Sequence, residues 1–285
     1  MSAKLLEGRP VAEAIWRSVQ EGATALAAST GRPPHLGLVS GADEAAAAYA
    51  RQIERQFGRH GLSVSTHTSD GPHLVGLVAE LSADTSIDGI LLLTPLPSGA
   101  DPVSAALAIE PAKDVDGQHP ASLGRIGQRR GRFAPATALG GLRLLEHYNV
   151  PLRGSRVVVV GRSPVVGLPL ALLLLDQDAT VTICHSRTSD LAAVTREAEV
   201  LCVAVGREAM IGPEHVRPGA VVLDFGTHPG PNGGMRGDVR TDEVAEVAAA
   251  ITPVPGGTGP TTVAVLAQQT LRAAEARRRQ GDVGR

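Results

Sequence analysis

The segment at residues 156–169, RVVVVGRSPVVGLP, constrains the fold more than any other part of the chain. Its run of four valines predicts a strand that is buried on both faces of a parallel sheet. Gly161 and Gly167 then bracket a tight turn into an apolar helical pattern, and the N-terminus of such a helix can receive a phosphate group. The spacing of these glycines differs from the GxGxxG fingerprint. The turn therefore predicts an α/β domain without identifying its ligand.

The next predicted strand indicates which ligand the turn would take. ATVTIC at 179–184 is followed by His185, Ser186 and Arg187, where an NAD-binding unit usually has an acidic residue for the ribose diol. A hydroxyl and a guanidinium at this place suit a 2′-phosphate instead, and Arg162 in the first turn adds a second cation. We therefore predict NADP as the cofactor. The alternative is a surface loop that is basic without binding a nucleotide.

Strand and helix patterns alternate along the chain. The predicted strands lie at 35–40, 62–68, 88–94, 155–160, 179–184, 199–205 and 220–225, and helices are predicted at 44–60, 72–83, 137–148 and 260–277. This order implies parallel sheets with right-handed crossovers. We predict an α/β fold with two domains around a cleft. Residues 1–148 with 263–285 would form the substrate domain, and 149–262 a Rossmann-like NADP-binding domain.

Composition limits the class of protein. A chain of 285 residues with 43% hydrophobic content can build two domain cores. A net charge of -2, with no basic run among aromatics, argues against a nucleic-acid partner. The apolar stretches are shorter than the roughly 18 residues of a membrane helix, and acidic residues near the N-terminus argue against a signal peptide. We predict a cytoplasmic enzyme that acts on a small molecule and has no membrane partner.

Three residue types add smaller constraints. The nine histidines show no metal-binding spacing, so we predict no metal site. Cys184 and Cys202 fall in predicted core strands, where a buried thiol is the expected form. The chain has only two lysines, Lys4 and Lys113, against 25 arginines. A position that needs only a positive charge should therefore carry arginine in this protein.

Three further features would belong to the cleft. KDVDG at 113–117 places two carboxylates two residues apart, one of which could pair with an amidine-like ligand edge while the other is structural. TPVPGGTGPTT at 252–262 is a rigid turn before the last helix, and its glycines would let a flat ligand approach the backbone. Tyr49 lies on the helix after the first strand, where it could face the cleft or be an ordinary core tyrosine.

These motifs together resemble the methylenetetrahydrofolate dehydrogenase/methenyltetrahydrofolate cyclohydrolase family along nearly the whole chain. The matching blocks are KDVDG (113–117), GRSPVVGLP (161–169), CHSRT (184–188), VAVG (203–206), GDV (237–239) and TPVPGGTGPTT (252–262). Members of the family oxidise methylenetetrahydrofolate with NADP and then hydrolyse the methenyl cation to formyltetrahydrofolate. The resemblance also implies a homodimer that is joined through the nucleotide-binding domains.

The resemblance implies a role for individual residues, matched by position. Asp116 would bind the pterin edge, Tyr49 would stack near the aminobenzoyl ring, and both belong to the implied catalytic site. The implied substrate-binding turn consists of Pro255, Gly256 and Gly257. The implied cofactor-binding residues are Gly161, Arg162, Ser163, Gly167, His185, Ser186, Arg187 and Thr227.

Two catalytic positions depart from the family pattern. The family has a lysine four residues after the tyrosine and a glutamine just before the Pro-Leu-Pro turn, where this chain has Ile53 and Leu93. The scarcity of lysine does not explain Ile53, because that bias would give arginine. Arg51 and Arg55 flank the position without simply replacing the lysine. A lesser departure is PATALG at 135–140, where the family tends to have PCTPxG.

The replacements at positions 53 and 93 should affect the two reactions of the family differently. Oxidation removes a hydride from a carbon between two nitrogens, so positioning against the nicotinamide is most of the catalysis. Hydrolysis must deprotonate water and protonate a leaving nitrogen, which calls for acid-base help of roughly 10²–10⁴-fold. We therefore predict a dehydrogenase whose cyclohydrolase activity is weak or absent. The alternatives are an NADP-dependent iminium or cyclic-imine oxidoreductase of specialised metabolism, and a catalytically silent folate- or NADP-binding subunit.

Overall fold

The computed structural model describes residues 3–230 and 233–283. The chain divides into two compact units. One, the three-stranded unit, consists of Ala14–Ala136 and Val263–Arg285, and the other, the six-stranded unit, consists of Met1–Glu13 and Thr137–Thr262. No helix of the described ranges is both long and apolar enough to cross a membrane.

Helices and strands alternate through most of the described chain. The helices are α1 Gly8–Thr30, α2 Glu44–Arg59, α3 Leu74–Ala83, α4 Pro102–Leu107, α5 Pro120–Gly127, α6 Ala136–His147, α7 Gly167–Asp176, α8 Leu191–Thr195, α9 Thr241–Val244 and α10 Thr258–Val283, with a 3-10 turn at Pro213–His215. The strands are β1 Lys4–Leu5, β2 His35–Ser40, β3 Ser63–Thr68, β4 Gly89–Leu92, β5 Arg156–Val160, β6 Thr180–Cys184, β7 Val200–Val203, β8 Val221–Asp224, β9 His228–Pro229, β10 Met235–Arg236 and β11 Ala250–Ile251.

The three-stranded unit is built on a parallel sheet in the order β3-β2-β4. Helix α2 packs its apolar face inward, and Asp43 caps its first turn by accepting a hydrogen bond from the Ala46 N–H at 2.8 Å. Its buried residues recur with helical spacing and are Ala46, Ala50, Ile53 and Phe57. The inward face of α2 therefore includes position 53, one helical turn after Tyr49.

The six-stranded unit holds a parallel sheet in the order β1-β11-β8-β7-β5-β6. The four valines of β5 are each at most 3% exposed, as expected for a strand that is covered on both faces. Strand β5 pairs with β6 on one side and with β7 on the other, so the chain reverses its direction of winding at β5. In sheets of this kind, ligands bind beyond the carboxyl ends of the strands at such a switch point.

The α/β class and the Rossmann-like C-terminal domain are confirmed, but the division between the units differs from the predicted one. The boundary falls after residue 136 and not after 148, and the first 13 residues group with the six-stranded sheet. One reason is that Lys4 and Leu5 pair in parallel with Ala250 and Ile251. Helix α6 also packs closely there, since a Cβ on Gly141 would lie 2.4 Å from Phe225 Cζ.

The sequence pattern did not indicate several elements. Helix α5 lies between the predicted strand at 88–94 and the predicted helix at 137–148, where no element was predicted, and α1 occupies 23 residues before the first predicted strand. Strands β1 and β11 have two residues each, which is too short for an alternating pattern to show. Their pairing is set by long-range contacts and not by local sequence.

Candidate functional site

The turn after β5 can be formed only by glycine at two positions. Gly161 has a φ of 130°, and a Cβ there would lie 2.2 Å from the carbonyl oxygen of Ala204. A Cβ on Gly167 would lie 2.2 Å from the carbonyl oxygen of Gly161. The ends of β5 and β7 and the start of α7 therefore approach one another at backbone distance. This is the arrangement that the sequence predicted for a phosphate-binding turn.

Arg162 and Ser163 lie just before the first turn of α7. Val166 precedes the helix and provides no side-chain cap. Ser163 Oγ accepts a hydrogen bond from the Val166 N–H at 3.2 Å, which braces the turn and leaves the hydroxyl proton of Ser163 to be donated elsewhere. Arg162 is exposed beside it. The helix dipole, a hydroxyl donor and a guanidinium therefore lie at one place.

The loop after β6 presents a second cation. His185 stabilises this loop: its ring Nδ1 accepts a hydrogen bond from the Arg187 backbone N–H at 3.1 Å, and its backbone N–H donates one to Thr188 Oγ1 at 2.8 Å. The side chains of Ser186 and Arg187 remain exposed. The chain thus offers a hydroxyl and a guanidinium, and no carboxylate, at the carboxyl end of β6. These groups fit the 2′-phosphate of NADP, which would supply a hydride acceptor when bound.

Thr227 lies apart from the other predicted cofactor residues. It is exposed and follows β8, whereas the others lie at the carboxyl ends of β5 and β6. In sheet order, β7 separates β8 from β5. A role of Thr227 in cofactor binding stays a prediction.

Close backbone contacts within the protein require glycine in the turn at Pro255–Gly257. Gly256 has a φ of 109° and accepts a hydrogen bond from the Gly8 N–H at 2.8 Å. A Cβ on Gly257 would lie 2.6 Å from the carbonyl oxygen of Pro253. The sequence suggested that these glycines make room for a ligand. The contact of Gly256 with Gly8 at the start of α1 gives a structural reason for this turn. A role of Pro255, Gly256 and Gly257 in substrate binding stays a prediction.

The two carboxylates of KDVDG have different surroundings. Asp114 is fully buried and accepts hydrogen bonds from the Gln118 N–H, the His119 N–H and Ser122 Oγ at 2.8, 3.0 and 2.5 Å. Asp116 is half-buried and accepts one hydrogen bond, from the Ala136 N–H at 2.8 Å. Asp114 is therefore structural, and Asp116 keeps acceptor capacity for a ligand.

Burial shifts the ionisation of Asp116 and Tyr49. Desolvation raises the pKa of Asp116 to about 7; the hydrogen bond from Ala136 opposes this rise, and the charge of Asp114 adds to it. Desolvation also raises the pKa of Tyr49, with a further contribution from the charge of Asp116. Tyr49 and Asp116 therefore interact electrostatically within the three-stranded unit. A perturbed carboxyl and phenol together are typical of a functional site.

The two replaced positions are aliphatic and buried. Ile53 is 0% exposed and Leu93 is 3% exposed. Arg51 and Arg55 are both exposed, so neither guanidinium fills the place of a lysine at position 53. Both positions carry buried aliphatic side chains, so neither offers a side-chain proton donor or acceptor.

Sequence reasoning missed two polar residues. Gln118 pairs with the main chain of Leu92, and Asp238 in the GDV block is fully buried and accepts several hydrogen bonds. Asp238 follows a glycine-rich segment at 230–237, but the sequence could not identify its hydrogen-bond partners. Gln118 lies one residue after the KDVDG motif at 113–117.

Comparison with known proteins gives the family directly. The model of the tetrahydrofolate dehydrogenase/cyclohydrolase catalytic domain matches residues 6–116, and the model of the NAD(P)-binding domain of the same family matches residues 135–278. The bifunctional protein FolD of Parafrankia sp. is 49% identical over 274 residues, which cover 95% of this chain and 99% of that protein. FolD 1 of Rubrobacter xylanophilus is 48% identical over 280 residues, covering 96% and 98%.

Solved structures agree in fold. The FolD methylenetetrahydrofolate dehydrogenase/cyclohydrolase of Campylobacter jejuni has a TM-score of 0.92 at 32% identity, covering 97% of this chain and 100% of that one. The Trypanosoma brucei enzyme, complexed with NADP cofactor and inhibitor, has a TM-score of 0.92 at 33% identity, covering 98% and 99%. The predicted family is confirmed: the chain belongs to the tetrahydrofolate dehydrogenase/cyclohydrolase family.

Proposed function

We propose that the protein is an NADP-dependent methylenetetrahydrofolate dehydrogenase of one-carbon metabolism whose cyclohydrolase activity is weak or absent. The observation that supports the proposal is that the chain keeps the residues predicted to bind NADP and has aliphatic residues at the two positions predicted to serve hydrolysis. The turn of Gly161 and Gly167 and the loop of Ser186 and Arg187 are intact, and the relative from T. brucei was solved with NADP. Tyr49 and Asp116 are retained.

Hydride transfer does not require the lysine and glutamine side chains that Ile53 and Leu93 replace. The carbon that loses the hydride is flanked by nitrogens whose lone pairs stabilise the resulting cation, so the protein need only hold the substrate in place. The Asp116 carboxylate can accept two hydrogen bonds from an amidine-like edge, a charge-assisted pairing that fixes the orientation of a pterin. Tyr49 supplies an aromatic face beside it. Ile53 and Leu93 are uncharged and do not oppose cation formation within the substrate.

Hydrolysis needs a base, and positions 53 and 93 supply none. Neither Ile53 nor Leu93 can orient or deprotonate water. Tyr49 does not replace them, because burial raises its pKa and keeps the phenol protonated near neutrality. We therefore expect the methenyl product to leave the enzyme without being hydrolysed.

We further propose a cytoplasmic homodimer that is joined through the six-stranded units. Strand β6 lies at one edge of its sheet, where unpaired backbone groups are a template for another chain. Ile183 on this strand is 38% exposed and Leu175 on the preceding helix is 51% exposed, which leaves apolar surface beside the edge. Sedimentation at micromolar concentration should give a dimer, and a monomer would reject this part of the proposal.

One experiment tests the activity. The purified protein is incubated with methylenetetrahydrofolate and either NADP or NAD, and reduced nucleotide and methenyl product are followed separately from formyl product. We expect NADPH and methenyltetrahydrofolate in equal amounts, with hydrolysis at the uncatalysed rate. Reduction of NADP by a cyclic amine but not by the folate would favour the iminium oxidoreductase, and no turnover with bound NADP would favour the silent subunit.

A further inference from the structure

A buried carboxylate organises the loop at the carboxyl end of β7. Asp238 is 0% exposed. Its carboxylate accepts hydrogen bonds from three successive backbone N–H groups, those of Val205, Gly206 and Arg207, at 2.7, 2.9 and 2.8 Å. It also contacts His228 Nε2 at 2.8 Å. Four groups therefore converge on one anion inside the six-stranded unit.

A second buried carboxylate holds Asp238 in place. Asp224, at the end of β8, accepts hydrogen bonds from the N–H groups of Gly226, Asp238 and Val239 at 2.8, 3.1 and 2.9 Å. Two glycines permit this approach, since a Cβ on Gly226 would lie 2.5 Å from Asp238 Oδ1 and a Cβ on Gly237 would lie 1.8 Å from Asp224 Oδ2. The hydrogen bonds to Asp224 thus fix the backbone at Asp238 and Val239, and with it the position of the Asp238 carboxylate.

The loop has the form of an anion-binding site that is already filled. Successive backbone N–H groups around a left-handed residue make a concavity that binds anions, and Gly206 has a φ of 65°. Here the anion is the protein's own Asp238. This excludes the three N–H groups from binding a nucleotide phosphate and gives the loop one fixed conformation instead.

The loop lies on one side of the topological switch point. It follows Ala204, whose carbonyl oxygen approaches Gly161 at the end of β5. The 2′-phosphate groups, Ser186 and Arg187, follow β6 on the other side of β5. A dinucleotide that binds across the switch point therefore has its adenosine half beside β6 and its nicotinamide half beside the loop at 205–207.

We propose that Asp238 is a positioning residue for the nicotinamide half of NADP, acting by fixing the backbone at 205–207, with His228 as the side-chain partner of its carboxylate. The inference rests on the proposed NADP function. Asp238 touches only protein atoms and takes no part in the hydride transfer itself. Its effect should therefore be confined to ligands that reach across the switch point.

Two ligands separate this role from general support of the fold. Adenosine 2′,5′-bisphosphate occupies only the adenosine side, whereas NADP occupies both. We would measure the dissociation constant Kd of each by calorimetry for the wild type, Asp238→Asn and a control, Asp242→Asn, whose carboxylate is exposed on α9. An asparagine keeps the size of the side chain but turns an NH2 group toward N–H donors, so the loop loses its anion.

We expect Asp238→Asn to raise the Kd of NADP at least tenfold and to change that of adenosine 2′,5′-bisphosphate by less than twofold. Asp242→Asn should change neither. Equal weakening of both ligands, or of neither, would overturn the positioning role. A wild type that binds neither ligand would instead reject the proposed NADP function.

A milder pair of variants covers the case in which Asp238→Asn does not fold. His228→Gln retains an N–H donor toward Asp238 and should bind NADP within about twofold of the wild type, whereas His228→Leu removes the donor and should weaken NADP severalfold. Both should bind adenosine 2′,5′-bisphosphate as the wild type does. Identical NADP affinities for the glutamine and leucine variants would contradict the role given to His228.

Discussion

The side chain of Gln118 pairs with the main chain of Leu92 in the way that a neighbouring strand would. Its carboxamide accepts a hydrogen bond from the Leu92 N–H at 2.9 Å and donates one to the Leu92 carbonyl oxygen at 3.0 Å. Strand β4 is an edge strand, and Ile90 is already paired with the main chain of Lys113 and Asp114. The side chain of Gln118 therefore extends this pairing by one step. It joins the loop that carries Asp116 to the strand that leads to Leu93.

Replacing Gln118 by leucine should destabilise the protein. The variant leaves the N–H and the carbonyl group of Leu92, in a buried edge strand, unpaired, which costs about 1–3 kcal/mol. Urea denaturation would measure the free energy of unfolding. Gln52→Leu, on the exposed face of α2, is the matched control and should change it by less than about 0.5 kcal/mol. Equal stability of the two variants would show that the pairing contributes nothing.

Asp116 should make the stability of the protein depend on pH. Its pKa is raised from 3.8 to about 7 in the folded state, so folding favours the protonated form. The wild type therefore loses free energy of unfolding as pH rises from about 4 to about 7. Asp116→Asn has no charge to desolvate and should be more stable than the wild type above pH 7, by roughly 1–2 kcal/mol after allowance for partial exposure.

The same ionisation should appear in substrate binding. The carboxylate, and not the acid, accepts two hydrogen bonds from a pterin edge, so the affinity for folate should rise through about pH 7 and then level off. Thermal unfolding and folate titration at pH 5 and 8 would test both effects. A stability difference between Asp116→Asn and the wild type that is the same at the two pH values would refute the assignment.

Arg187 should determine the preference for NADP over NAD. Its guanidinium is exposed at the end of β6 and can bind a 2′-phosphate through paired charge-assisted hydrogen bonds worth about 1.5–3 kcal/mol. Arg187→Ala should therefore bind NADP roughly ten- to a hundredfold more weakly and NAD unchanged. Arg153→Ala, whose side chain is 88% exposed in the same unit, is the control. Equal affinity of the wild type for both nucleotides would contradict the assignment.

Local patterns predicted the nucleotide turn well because its causes lie close together in sequence. The valine run of β5 and the glycines of the turn show in the local sequence, although the close approach of Gly161 to Ala204 does not. The role of Lys113 was not predictable in this way. Its buried ammonium donates to the carbonyl oxygens of Leu81, Ser82 and Asp84 at 3.2, 2.6 and 2.6 Å, all near the end of α3. A compact ammonium suits three converging carbonyls better than a planar guanidinium, which explains a lysine in an arginine-rich chain.

Two other features depended on partners that are distant in sequence. Asp114 and Asp116 look alike in the motif, and only the N–H groups around Asp114 distinguish the structural carboxylate from the one that is left for a ligand. Asp238 is 31–33 residues from the loop that it holds. An aspartate at each of these positions suggested a functional or structural role, but only the tertiary contacts show which role each carboxylate has.

Hydrolysis should return only when both replaced side chains are restored together. Ile53 and Leu93 are both buried and aliphatic, so Ile53→Lys alone would bury an ammonium to which position 93 offers no hydrogen-bond partner. Leu93→Gln alone adds an amide but no group that can assist proton transfer. The double variant provides both, and we expect it to hydrolyse methenyltetrahydrofolate at least tenfold faster than either single variant.

The wild type is the decisive reference for this series. Its hydrolysis should be near the uncatalysed rate while its dehydrogenase activity is measurable, because oxidation develops charge within the substrate and hydrolysis needs a protein base. Loss of methenyltetrahydrofolate would be followed with time for the wild type, both single variants and the double variant, with Arg51→Lys and Gln52→Leu on the exposed face of α2 as controls. Rapid hydrolysis by the wild type would mean that another group supplies the base, and the roles given to positions 53 and 93 would be wrong.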